Sequence, residues 1–165
     1  MPSQKTVPSR PVIGWREWVG LPTLQTEWIK AKIDTGARSS SLHAFGIQSF
    51  TREGVELVRF SVHPWQRSES SSVDVEAEVI DWRSIRSSSG QSEDRPVILT
   101  DLRIGGDVHP IEVTLANRDE MGFRMLIGRE GMRRRFVVDP ARSYLAGKPP
   151  REIVVANRRR EDTAS

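Results

Sequence analysis

The run Lys32-Ile33-Asp34-Thr35-Gly36-Ala37 sets a carboxylate and a hydroxyl where an apolar strand stops, ahead of two residues with little or no side chain. An acid placed there is held by a tight turn. Gly36 can adopt dihedrals closed to other residues, and Gly36 with Ala37 lets a second backbone come close. The Thr35 hydroxyl can hydrogen-bond backbone across the turn and fix its shape. A carboxylate fixed in this way suits general acid–base chemistry. A second segment, Met125-Leu126-Ile127-Gly128-Arg129, runs aliphatic residues into a glycine and a cation ahead of a helix-like stretch.

Other chemistries find less support. The chain has no cysteine, so disulfides and thiolate catalysis are excluded, which fits a reducing compartment. His43, His63 and His109 are scattered, and no His-Glu-x-x-His pair is present, so no metal site and no cofactor are expected. Ser39-Ser40-Ser41 and Ser87-Ser88-Ser89 lack the Gly-x-Ser-x-Gly elbow of a serine hydrolase. The net charge is only +3, yet arginine clusters at 133–135, 142, 151 and 158–160. With no nucleic-acid-binding motif beside them, these read as a solvated face and tail rather than a nucleic-acid surface. No segment reaches the ~20 apolar residues of a membrane span, and the N-terminus lacks a secretory h-region, so a cytoplasmic location is expected.

The frame that must hold Asp34 reads as mainly β. Strands are expected over 12–19, 28–33, 55–62, 73–82, 97–104, 109–115, 124–127 and 136–138, with Phe60 on the buried face of its strand. Val73, Val75, Ala77 and Val79 alternate with Asp74, Glu76 and Glu78, the pattern of a half-exposed strand. Residues 82–96 read as a long hairpin, and Arg129 to Arg135 as the best short-helix candidate. Trp15, Trp18, Trp28, Trp65 and Trp82 at strand positions are expected in the core or an interface. Residues 1–10 read as a flexible N-terminus, 11–148 as one domain and 149–165 as a basic flexible tail.

The Asp-Thr-Gly-Ala turn followed later by Ile127-Gly128-Arg129 resembles the retropepsin-like aspartic proteases. More narrowly, 32–44 resembles a bacterial and archaeal family labelled ATP-dependent zinc proteases and associated with RimK-type ATP-grasp ligases. So do Ile13 to Val19, Ser88-Ser89-Gly90, Arg95 to Ile98, Glu112 to Leu115, Arg118, Met125 to Arg129 and Val138-Asp139-Pro140. This resemblance covers roughly residues 12–147 and implies a retropepsin-like closed β-barrel with a short C-terminal helix. It implies an aspartic peptidase, with Asp34, Thr35 and Gly36 catalytic, that trims glutamate tails made by the ligase.

Such chemistry needs two carboxylates sharing a proton, since like charges about 3 Å apart cannot both ionise. Asp81, Asp101, Asp119 and Asp139 lack the turn context, so the second acid is expected from a second copy across a two-fold axis. Ala37, Arg38, Gly128 and Arg129 are expected at the substrate. Arg83, Arg86 and Arg95 on the 82–96 hairpin, the expected flap, are candidates to bind an acidic peptide. Retroviral relatives carry an acid where this chain has Arg38, so Arg129 must find another partner, with Glu130, Asp139 or a substrate carboxylate as candidates. Two alternatives stand beside the peptidase reading: an inactive peptide-binding module, and a zinc protease as the label suggests.

Overall fold

The computed structural model describes residues 9–63, 72–86, 89–117 and 122–155. Trp65, Ser87, Ser88, Arg118, Asp119 and the arginines at 158–160 lie outside the described residues. The chain forms β1 (Val12–Leu21), β2 (Thr26–Ile33), β3 (Ser40–Arg52), β4 (Val55–Val62) and β5 (Val73–Glu78). It continues as β6 (Asp81–Arg86), β7 (Ser92–Ile104), β8 (Asp107–Ala116), β9 (Met125–Ile127) and β10 (Val137–Ser143). The architecture is mainly β and retropepsin-like, as expected.

The main sheet runs β10-β1-β2-β9-β3-β8-β7-β6. It curls until Gly20 of β1 meets Arg103 of β7, so the barrel is completed at one residue pair rather than along a full ladder. Ile29, Leu42, Ile98, Leu115 and Ile127 are fully buried inside it, and this apolar burial is the main force holding the curl. β3 runs on past the barrel and pairs with β4, which pairs in turn with β5. On β4, Val58, Phe60 and Val62 are buried, so the Phe60 face is indeed the inner one. On the outer face Arg59 and Arg52 donate to Glu76 at 2.8 and 3.0 Å. Those bonds hold its carboxyl below the ordinary carboxylate value.

Two expectations change. The 73–82 run is two strands: Val79 N–H donates to Glu56 at 3.0 Å but Ile80 N–H donates to Val97 at 2.9 Å, so consecutive amides enter different ladders. Trp18 lies in the core as expected, and its chain neighbour Val19 is buried as well. Register shifts at Gly14/Arg16 and Val19/Leu21 bend β1, and each bulge resets which side chains face inward. The stretch from Arg129 to Arg135 makes only a 3₁₀ turn, Arg129–Gly131, and Arg134 at φ 66° has left the right-handed helical region. The short C-terminal helix lies instead at residues 151–155.

Candidate active site

β2 and β9 lie parallel, with Lys32 opposite Leu126 and Ile33 opposite Ile127. The ladder continues one step further, since Asp34 N–H donates to the Ile127 carbonyl at 2.9 Å. The chain then turns, with Ala37 N–H donating back to the Asp34 carbonyl at 3.3 Å. Beyond the turn the two segments cross: Arg129 N–H donates to the Ala37 carbonyl at 2.8 Å and Glu130 N–H to that of Arg38 at 3.1 Å. The acid is therefore anchored on both sides by backbone, where little can move. Asp34 Oδ1 accepts the Gly36 N–H at 2.9 Å, while Oδ2 has no hydrogen-bond partner among the described residues. Asp34 is half-buried and Thr35 and Gly36 are exposed, so the free oxygen sits on an accessible turn.

Gly128 explains how the crossing can be so tight. A Cβ there would meet the Ser39 carbonyl oxygen, with Ser39 C at 2.7 Å and Arg38 C at 2.8 Å. Those are backbone atoms that cannot swing away. Gly128→Ala is expected to cost about 1–3 kcal/mol, the usual penalty of overpacking, and to push the two turns apart. A thermal-unfolding midpoint equal to wild type would contradict this.

Ser40 completes the brace, a role the sequence did not suggest. Its hydroxyl accepts the Gly128 N–H at 3.1 Å, and its carbonyl accepts the Thr114 hydroxyl at 3.2 Å. Buried His109 supports the same region from below, its Nε2–H donating to the Gly131 carbonyl at 2.7 Å, while Nδ1 faces Asp107 at 2.7 Å. Arg129 finds neither Glu130 nor Asp139 as its partner. Its Nη1 donates to the carbonyls of Thr35 and Gly36, both at 3.1 Å, so backbone oxygens of the acid's own turn take the place of the missing side-chain acid.

Asp34, Thr35, Gly36, Ala37, Gly128 and Arg129 thus come together in one pair of crossed turns. Arg38 and Arg83 line a neighbouring groove of about 550 Å³ with Glu112 and Glu130. Arg83 is already engaged there, donating to Glu112 at 2.6 Å. The 82–96 hairpin is a regular ladder from Asp81↔Val97 to Arg86↔Ser92, and Arg86 is exposed near its far end. Arg95 does not project from the hairpin: it is buried, in a recess on another part of the same barrel. Of the remaining acids, Asp81 pairs with Arg83 at 3.8 Å and Asp139 with Arg142 at 3.7 Å.

A family model described as the retropepsin-like aspartic endopeptidase RimB matches residues 12–149. This chain belongs to the RimB-like family. A crystal structure of a Legionella pneumophila protein of unknown function shares the RimB-like architecture at a TM-score of 0.68 and 29% identity. The match covers 84% of this chain and 99% of that one. A Shewanella pealeana protein named probable alpha-L-glutamate ligase is 46% identical over 137 residues, and a Desulfotalea psychrophila protein of the same name is 44% identical over 155. The matched segment makes up 30% and 33% of those proteins, so this RimB-like chain spans about a third of the curated relatives' length.

The zinc of the older family label finds no donor set. Among the described residues no three His, Cys, Asp or Glu side chains are grouped closely enough to hold a metal ion. His43 and His63 instead flank Phe45, with ring centroids 4.4 and 4.0 Å away. Among the described residues no helix is long and apolar enough to cross a membrane.

Proposed function

We propose that this RimB-like chain is an aspartic endopeptidase that works as a homodimer and trims glutamate-rich tails. The observation that carries the reading is Asp34 on its braced turn with one carboxylate oxygen free. Two such turns meeting across a two-fold axis bring two Asp34 carboxylates together, and one proton is then shared between them. The ionised Asp34 takes a proton from water as its oxygen adds to the scissile carbonyl carbon, and the protonated Asp34 passes its proton to the carbonyl oxygen. Collapse of the tetrahedral species breaks the C–N bond: the departing nitrogen takes the proton of one Asp34 while a hydroxyl of the diol returns a proton to the other, so the pair ends with the one proton it began with. The two titration steps belong to the pair rather than to either residue.

The glutamate substrate is supported by the relatives, in which a homologous segment sits inside longer proteins named probable glutamate ligases. A peptidase coupled to an ATP-grasp ligase of that kind would remove what the ligase adds. Arg83 is neutralised by Glu112, which leaves exposed Arg38, next to the Asp34 turn, as the groove cation placed to meet an acidic peptide.

The test is cleavage of a peptide ending in a glutamate run, followed by mass spectrometry, with sedimentation on the same sample. Cleavage by a dimer is expected. Binding without cleavage would establish a peptide-binding module instead, activity lost only to a chelator would restore the zinc reading, and an active monomer would refute the shared site. Arg129 offers a finer check. Arg129→Gln removes the guanidinium that ties the Thr35 and Gly36 carbonyls, and a misplaced acid costs about a hundredfold in rate. A drop of that order in kcat is expected, with the dimer retained; unchanged kcat would show that the brace is dispensable.

A further inference from the structure

On the face of the sheet that carries Asp34, three cationic or ionisable side chains are buried with nitrogen atoms that bond to nothing. Arg95 and Arg124 are each 7% exposed and His43 is 6% exposed. Arg95 Nε, Arg124 Nε and His43 Nδ1 have no hydrogen-bond partner among the described residues. Arg95 Nε lies 3.5 Å from a carboxylate oxygen of exposed Glu93, close enough for attraction but without hydrogen-bond geometry. Arg124 rests over the Phe45 ring at 5.3 Å, which holds the guanidinium in place and leaves its edge unused. Burying a cation such as Arg124 with no anion beside it is costly, and Arg95 has only the exposed Glu93. Such an arrangement is expected where a ligand supplies the missing charge.

The strand register locates this recess relative to Asp34. Residues two apart on a strand share a face, so Lys32 and Asp34 point the same way, about 7 Å apart along the chain. Lys32 lies opposite Leu126, and Leu126 opposite Ser41. One row further from Asp34, His43 stands beside Arg124, its N–H donating to the Arg124 carbonyl at 2.8 Å. Lys32, Ser41, His43, Arg95 and Arg124 together line one recess. Its free space is about 20 Å³, room for one or two water-sized groups such as the oxygens of a carboxylate.

We infer that Lys32, His43, Arg95 and Arg124 form a carboxylate-binding subsite that seats an acidic side chain of the substrate one to two rows from the scissile bond. The inference rests on the peptidase reading for what lies at Asp34, and it identifies the residues that select the substrate. An extended peptide repeats its side chains on one face every two residues, the same spacing as the rows of this sheet. In a two-fold dimer the recess occurs twice, once on each side of the paired Asp34 residues. Acidic residues are therefore selected on both sides of the bond, which suits cleavage within a run of glutamates rather than at its end.

The experiment compares a glutamate-run peptide with the same peptide carrying single glutamines beside the cleaved bond. Wild type is expected to favour glutamate in kcat/KM by about tenfold to hundredfold, the worth of a hydrogen-bonded charge. Arg124→Gln and Arg95→Gln are expected to erase that preference through KM, whereas Arg142→Gln on β10 keeps it. Arg124→Gln is expected to unfold at or above the wild-type temperature, because it removes a buried charge with no anion beside it, whereas Arg95→Gln also gives up the attraction of Glu93. Peptide binding to the Asp34→Asn chain, read by calorimetry, separates the two ideas. Glutamate-selective binding that depends on Arg124 supports the subsite even where wild type cleaves nothing. Cleavage or binding that treats glutamate and glutamine alike, or a preference that survives in both folded recess variants, overturns it. If both variants fail to fold, half-buried Lys32 replaces them: Lys32→Gln in the Asp34→Asn chain is expected to lose the glutamate-selective binding, and binding that keeps it overturns the subsite.

Discussion

Asp34→Asn is expected to abolish peptide cleavage while leaving the fold and the dimer intact. In a homodimer the substitution removes both carboxylates at once, so neither base nor acid remains. Acid–base catalysis contributes about a hundredfold to ten-thousandfold for each positioned group, and loss of a residue that acts as a unit with another removes most of the rate. A fall of at least about ten-thousandfold in kcat/KM follows. The fold should persist because the asparagine oxygen can still accept the Gly36 N–H that Asp34 Oδ1 accepts at 2.9 Å. The backbone bonds from Asp34 to Ile127 and from Ala37 to Asp34 do not involve the side chain. Thermal unfolding and sedimentation check this second half. Turnover within tenfold of wild type would end the aspartic mechanism, and a collapsed fold would instead show that the charge itself shapes the turn.

The largest stability effect is expected far from that turn, at Glu17. This carboxylate is fully buried, and three backbone donors converge on it. Gly14 N–H reaches Oε2 at 2.6 Å, Leu145 N–H reaches Oε2 at 3.0 Å and Ala146 N–H reaches Oε1 at 2.9 Å. Glu17 thus ties β1 to the turn after β10, across a join where Gly14 leaves no room for a side chain against Arg142 and Ser143. Hydrogen bonds to a charged group are worth about 1.5–3 kcal/mol each, and orphaned buried donors cost a similar amount. Glu17→Gln removes the charge and turns an NH₂ toward a donor, so a loss of about 2–4 kcal/mol is expected. For a domain of this size that lowers the unfolding midpoint by about 5–15 °C. A midpoint within about a degree of wild type would show that the three bonds carry no net stability.

Glu17 also marks a limit of reading strands by alternation. A glutamate in an apolar strand reads as the solvent side, yet here it is among the most buried groups, because the bulged β1 meets two neighbours and a turn at once. β3 was similarly hidden: its serines, Gly46 and polar outer half show no clean period over 40–52, although it is one of the two longest strands. It forms because parallel pairing to β8 and antiparallel pairing to β9 and β4 satisfy its backbone, which local propensity does not report. The reverse error occurred at Arg129 to Arg135, where helical composition lost to the need for backbone to cross at Gly128.

Within the site, the Asp34 turn and the Gly128-Arg129 segment were legible as separate motifs, because each is a contiguous run whose chemistry is local. Glycine, a short hydroxyl residue and an acid at a strand end mean the same thing wherever they fall. Arg95 was legible as a cation but not as a buried one, and Lys32, His43 and Arg124 carried no signal as a group. They lie on four strands, β2, β3 and β7 with the start of β9, and a sheet face forms only when the register among those strands is set. Register follows from the apolar rows underneath, from Ile33 opposite Ile127 to Leu42 opposite Met125, and those long-range pairings have no signature in neighbouring residues. The acid and its turn could be read from the chain, then. The brace by Ser40 and Arg129, the inward turn of Arg95 and the cationic recess one to two rows from Asp34 required the folded sheet, because packing between distant segments decides which side chains lose water together.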